Sequence, residues 1–201
     1  MPNTGKKPSE EFTSAPYGPL GLIVMPGCEE MGAKINNYLM RWRDQNEAME
    51  GTNIPLRGEL GADRENFLID IACPRFSTGE GKGMIKSTVR GYDIFIVSDI
   101  GAYNVTYDLY GSPERMSPDD HYQDLKRIIA AIGGRAKRIN IIMPMLYEAR
   151  QHRRTSRESL DCALALQELQ NMGVTNIVTF DAHDPRVQNA EIGRASCRER
   201  V

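Results

Sequence analysis

Two apolar runs constrain this chain most. "RINIIMP" (residues 138–144) and "TNIVTFD" (residues 175–181) show little alternation of polar and apolar residues. A strand with one wet face alternates; a strand covered on both faces does not. Between them lies "SRESLDCALALQELQNMG" (residues 156–173), where Cys162, Ala165, Leu166, Leu169 and Met172 recur on one helical face. Strand, helix, strand at this spacing predicts a βαβ unit and hence a parallel sheet.

The rest of the sequence agrees. "LGLIVM" (residues 20–25) is a short apolar run stopped by Pro26-Gly27, the signature of a buried strand. Met31, Ile35, Leu39 and Trp42 follow at helical spacing. Residues 47–66 are rich in glycine and charge and read as a long loop. "FLIDIA", "MIKSTV" and "DIFIVS" are strand-like. "SPDDHYQDLKRIIAAIGG" (residues 117–134) predicts a helix. Ser117 is placed to cap it, Pro118 opens it, and Gly133-Gly134 ends it. Its apolar stripe is Tyr122, Leu125, Ile129 and Ile132. The expectation is an α/β domain, a parallel sheet with flanking helices.

Composition narrows the function. The formal net charge over 201 residues is −2, which argues against general nucleic-acid binding. No stretch approaches the roughly 20 apolar residues that span a bilayer, and the N-terminus lacks an apolar signal core. Cys28, Cys73, Cys162 and Cys197 show no C-x-x-C spacing. Reduced thiols, no membrane and a cytoplasmic location are expected. Residues 1–18 read as a mobile tail, and residues 19–190 as the domain. Residues 191–201, "EIGRASCRERV", resemble a sequencing-library adapter translated in frame, so the natural chain is expected to continue past Ala190.

In open α/β sheets, ligands bind beyond the carboxyl ends of the strands. One strand end here releases Arg150, Arg153, Arg154 and Arg157 just before a helix; the next releases Asp181, His183, Asp184 and Arg186. Arginine forks match phosphate oxygens, and a helix N-terminus favours anions. Asp181 and His183 are one residue apart, so an extended chain points both the same way. Singly, each has a plainer use: a solvated charged loop, a helix cap, a turn histidine. Together they suit a Mg²⁺-nucleotide, the cation bridging phosphate oxygens.

"RFSTGE", "VRGYDIFIV", "YEARQHRR" and "VTFDAHDPRVQ", in this order and spacing, resemble the N-terminal half of the ribose-phosphate pyrophosphokinase family. The likeness runs from about Arg75 to Ala190. It implies a phosphoribosyltransferase-like fold and transfer of diphosphate from Mg-ATP to ribose 5-phosphate. It further implies Mg²⁺ as cofactor and a homo-oligomer. By the same likeness Arg150, Gln151, Arg153, Arg154 and His183 contact ATP, and Asp181 and His183 serve the metal. Phe76, Thr78, Gly79 and Glu80 form a loop that reaches a neighbouring subunit's adenine. The catalytic lysine loop and the ribose-phosphate loop are expected beyond Ala190, so no catalytic residue is assigned here. Thr78 stands where the family usually has Asp, and His152 where it has an acid. These departures mildly favour an alternative, a non-catalytic regulatory homologue that assembles with true synthetases. An RNA-binding module would need aromatic residues around the arginines, and only Tyr147 is near.

Overall fold

The computed structural model describes residues 18–49, 65–151, 156–180 and 196–197. Its main sheet has the order β1-β4-β7-β8-β9: Leu20–Val24, Asp93–Val97, Arg138–Ile142, Asn176–Thr179 and Ser196–Cys197. Every neighbouring pair in it is parallel. The three apolar runs that read as buried strands are β1, β7 and β8. The last strand, two residues long, falls within the segment that resembles an adapter.

Period-two geometry sorts the strand residues onto two faces. Ile23, Ile94, Ile96, Ile139, Ile141 and Ile177 lie in one core, with Leu125, Ile128 and Ile132 of α2 (Pro118–Ile132) and Leu166 and Leu169 of α3 (Asp161–Asn171). Leu22, Val24, Phe95, Val97 and Ile142 belong to the other core. It is covered by Met31, Ile35 and Leu39 of α1 (Glu29–Met49). The open edge of β1 is covered by residues 67–69, where Leu22 N–H donates to the Phe67 carbonyl and Ile69 N–H to the Leu22 carbonyl. A polar group crosses the sheet at the other end of the strands. Asp93 receives Arg138 and Asn140, and Asn176 donates to Asn140.

Four expectations are corrected. Trp42 is 46% exposed instead of packed. Twenty-one helical residues extend about 31 Å and a five-residue strand only about 17 Å, so the far end of α1 outlasts the sheet it covers. α1 also runs into the predicted loop, to Met49. The helix expected over residues 156–173 begins only at Asp161. Residues 156–160 are held as a loop, the Ser159 carbonyl accepting from Gln151 and the Ser159 hydroxyl donating to Asp161. "FLIDIA" and "MIKSTV" shrink to β2 (Ile71–Ala72) and β3 (Met84–Ile85), an antiparallel hairpin outside the main sheet.

A second hairpin, β5 (Thr106–Leu109) with β6 (Ser112–Arg115), was not anticipated. Tyr110 and Gly111 form its turn at φ 51 and 86, the pair of positive values that matches strand twist.

Candidate functional site

All four long strands end at one edge of the sheet, and their carboxyl ends deliver Cys28, Asp99, the segment 143–151 and Phe180 there. Asp99 N–H donates to the Cys28 sulfur at 3.0 Å, joining two of these loops. Burial pushes the Cys28 thiol up to about 11, so it is an inert packing group at neutral pH. His121 in the first turn of α2 is buried, its Nε2 3.0 Å from the Ala102 carbonyl, and this ties the loop after β4 to that helix.

The segment after β7 carries the sequence-predicted Arg150 and Gln151. It is built from two tight turns: Ala149 N–H donates to the Leu146 carbonyl, and Gln151 N–H to the Glu148 carbonyl. Glu148 between them sits at φ 54, a left-handed conformation that a side chain adopts only under constraint. Arg150 is exposed at the edge. The Gln151 amide is engaged by the loop that precedes α3, Nε2 donating to the Ser159 carbonyl at 2.8 Å. Arg153, Arg154, Asp181 and His183 lie outside the described residues. Phe180, the last described residue after β8, reaches the same edge, its N–H donating to the Pro144 carbonyl.

Phe76, Thr78, Gly79 and Glu80 form the tip of the β2-β3 hairpin, continued in register by the Arg75–Gly81 bridge. Phe76 N–H donates to the Glu80 carbonyl and Gly79 N–H to the Phe76 carbonyl. Thr78 donates its hydroxyl to Glu80 at 3.0 Å, and the Phe76 ring is 59% exposed. Glycine at 83 is required by contact: a Cβ there would meet the Arg127 backbone at 2.6 Å. The tip is held by Arg75, which donates to the Gly79 carbonyl and to Asp124, each at 3.0 Å, and covers the Tyr107 ring. Among the described residues no hydrogen bond or ion pair joins this tip to Arg150 or Gln151. The two are linked to different residues of α2, which bonds Arg75 through Asp120 and Asp124 and Tyr147 through Asp119.

Sequence reasoning missed the residues that make these links. Asp124 could have been found: a carboxylate on the buried stripe of an amphipathic helix needs a cation, and it has Arg75 and Arg127. Tyr122 does more than fill the apolar stripe of α2. Its ring stacks on Tyr147, centroids 4.2 Å apart and planes within 3°. Beside the pair a cavity of about 410 Å³ opens between α2 and α3, lined by Asp119, Lys126, Asp161 and Glu168 among others.

Asp120 gives the site's neighbourhood a pH dependence. Burial alone would raise its carboxyl, but hydrogen bonds from the Ser117 backbone and hydroxyl, with Arg75 and His121, outweigh that and hold it below its ordinary value. A depressed carboxylate contributes stability above its unfolded pKa of about 4 and loses it as pH falls through the folded value. Asp120→Asn is therefore expected to be less stable than the parent at neutral pH. The gap should narrow below about pH 4. Melting temperatures across that range check it; a gap that stays constant with pH would refute the assignment.

Fold and site together define an α/β domain of phosphoribosyltransferase-like type, with an arginine-bearing turn at the carboxyl edge of its parallel sheet. A family profile, the N-terminal domain of ribose phosphate pyrophosphokinase, matches residues 21–173, and the chain belongs to that family. It is 32% identical over 116 residues to the ribose-phosphate pyrophosphokinase of Corynebacterium ammoniagenes, covering 57% of this chain and 32% of the relative. The Bacillus caldolyticus ribose-phosphate pyrophosphokinase is 29% identical over 139 residues, covering 68% of this chain and 40% of the relative. The crystal structure of phosphoribosylpyrophosphate synthetase from Mycobacterium smegmatis shares the fold: TM-score 0.59 at 21% identity, over 86% of this chain and 45% of that chain. The chain thus spans less than half the length of these relatives.

Proposed function

We propose that this chain is the nucleotide-side domain of a ribose-phosphate diphosphokinase. The reaction transfers a diphosphoryl group from Mg-ATP to the C1 hydroxyl of ribose 5-phosphate, giving phosphoribosyl pyrophosphate and AMP. The observation that carries this reading is the turn after β7. It sets Arg150 at the carboxyl edge of a sheet whose family is known. Such chemistry asks little covalent help of a protein; it needs the phosphates positioned and their charge neutralised.

Arg150 would grip phosphate oxygens through its planar fork, with Arg153 and Arg154 behind it in sequence. Gln151 would contribute mainly by closing the loop through Ser159. Phe76, Thr78, Gly79 and Glu80 would serve a neighbouring subunit's adenine, which makes a homo-oligomer part of the proposal. An exposed phenylalanine on a braced hairpin tip supports this.

Mg²⁺ takes one or two protein ligands and completes its shell with water and substrate phosphates. Asp181 and His183, one residue apart in the sequence that follows β8, are residue types that fit that demand and would hold it. Bound there, it would supply charge neutralisation across the phosphate chain. A cytoplasmic location, with no nucleic-acid or membrane partner, completes the reading.

One observation favours the regulatory alternative: Thr78 stands where the resemblance implies a second acid, and its hydroxyl donates to Glu80. AMP release from Mg-ATP separates the two. Residues 1–190 alone should give no release dependent on ribose 5-phosphate, because the resemblance implies that the ribose-phosphate loop belongs to the part of the relatives that this chain does not match. The same residues extended with a native C-terminal half should restore it. An extended protein that folds and stays silent supports the regulatory homologue; robust release by residues 1–190 alone would place the active site elsewhere.

A further inference from the structure

The strained turn at Glu148 needs an explanation. A left-handed non-glycine residue persists only where its surroundings over-determine the backbone. Downstream, Gln151 is tied to Ser159. Upstream stands Tyr147, which is fixed in three ways. Its phenol donates to Asp119 Oδ1 at 2.7 Å, at the start of α2. Its ring stacks on Tyr122. Its N–H points to the Met143 sulfur at 3.4 Å. Tyr122 is fixed in turn: its phenol reaches the Ala165 carbonyl of α3 at 2.8 Å and Glu168 at 3.2 Å, and Lys126 lies over its ring. The two rings thus join the strand-end segment to both helices, one residue before the strain and three before Arg150.

We propose that Tyr147 is a positioning residue for nucleotide binding: fastened to α2 by its phenol and its stacked ring, it holds Glu148 left-handed and so presets Arg150 at the edge of the sheet. This rests on the nucleotide reading above. A preset cation loses less freedom when phosphate arrives, so affinity should depend on a side chain that never touches the ligand. Burial and the Asp119 carboxylate push the Tyr147 phenol up, so it remains a donor through the physiological range.

Tyr147→Phe keeps the stack and removes the phenol; Asp119→Asn weakens the same bond from the helix side. The 201-residue chain and both variants would be compared by amide hydrogen exchange and by calorimetric titration with Mg-ATP. In each variant the amides of residues 148–151 should exchange about tenfold faster, while those of β4 and β7 stay unchanged. Mg-ATP should bind about tenfold more weakly, the effect of one lost charge-assisted hydrogen bond. A merely structural tyrosine would loosen the core amides as well. Unchanged exchange at 148–151 would overturn the clamp. A parent that binds Mg-ATP with a Tyr147→Phe variant that binds it equally overturns the role of Tyr147 alone. A parent that does not bind Mg-ATP overturns the nucleotide reading and this role with it. Should one variant fail to fold, the other decides between the same outcomes.

Discussion

Arg150→Ala, made in the protein extended with its C-terminal half, is expected to lower kcat/KM for ATP by about 10- to 100-fold. Arg150 is exposed at the carboxyl edge of the parallel sheet, on a turn whose backbone is already closed by two hydrogen bonds. Bound phosphate would exclude water from its guanidinium and receive two parallel charge-assisted bonds. Each hydrogen bond to a charged group is worth about 1.5–3 kcal/mol, and about 1.4 kcal/mol is tenfold. Lysine should rescue only part of the loss, since it supplies charge without the fork. Arg157→Ala is the control: Arg157 is exposed but stands outside the matched motif. Steady-state kinetics with ATP as the varied substrate measure both. Equal losses at the two positions would mean that general positive charge, not a placed fork, serves ATP.

The second large effect concerns stability. Asp124→Ala is expected to destabilise the domain by about 3–5 kcal/mol, the usual result of removing one partner from a buried ion pair. The Asp124 side chain is 2% exposed and the Arg75 side chain 8%. Asp124 bonds Arg75 at 3.0 Å and Arg127 at 2.6 Å. Without it Arg75 keeps the Gly79 carbonyl, the face of the Tyr107 ring and the longer contact to Asp120, and among the described residues its Nε already has no partner. The hairpin tip carrying Phe76 to Glu80 should loosen with it. Urea unfolding gives the number; a midpoint shift equivalent to less than about 1 kcal/mol would show that Arg75 is held by other means. Replacing Arg75 and Asp124 together by apolar residues should cost less than Asp124→Ala, because no charge is then left stranded.

Much of the frame was legible in the residues themselves. Runs such as "RINII" and "NIVT" can be stable only when both faces are covered, and amphipathic helices between them leave a parallel sheet as the solution. The start of α2 was legible to the residue. Ser117, Pro118 and Asp120 specify it through bonds no more than three residues long, and the Ser117–Asp120 capping box is present as geometry. Arg150 and Gln151 could be placed at the sheet edge for the same kind of reason: the strand end locates them, and strand ends are local features.

Tertiary structure decided what depends on distant neighbours. Whether Trp42 packs depends on how far the sheet extends beneath α1, a length that no residue of α1 encodes. The start of α3 depends on Gln151 reaching across to Ser159, a bond that competes with helix formation over residues 156–160. The positive φ at Glu148 carries no sequence signal, since glutamate does not favour it; only its fixed neighbours hold it there. Asp119, Tyr122 and Tyr147 looked like a helix start, a core position and a loop aromatic. Packing of α2 and α3 on one face of the sheet brings them together, because hydrogen bonds and ring stacking act over a few ångströms of space and are indifferent to separation along the chain.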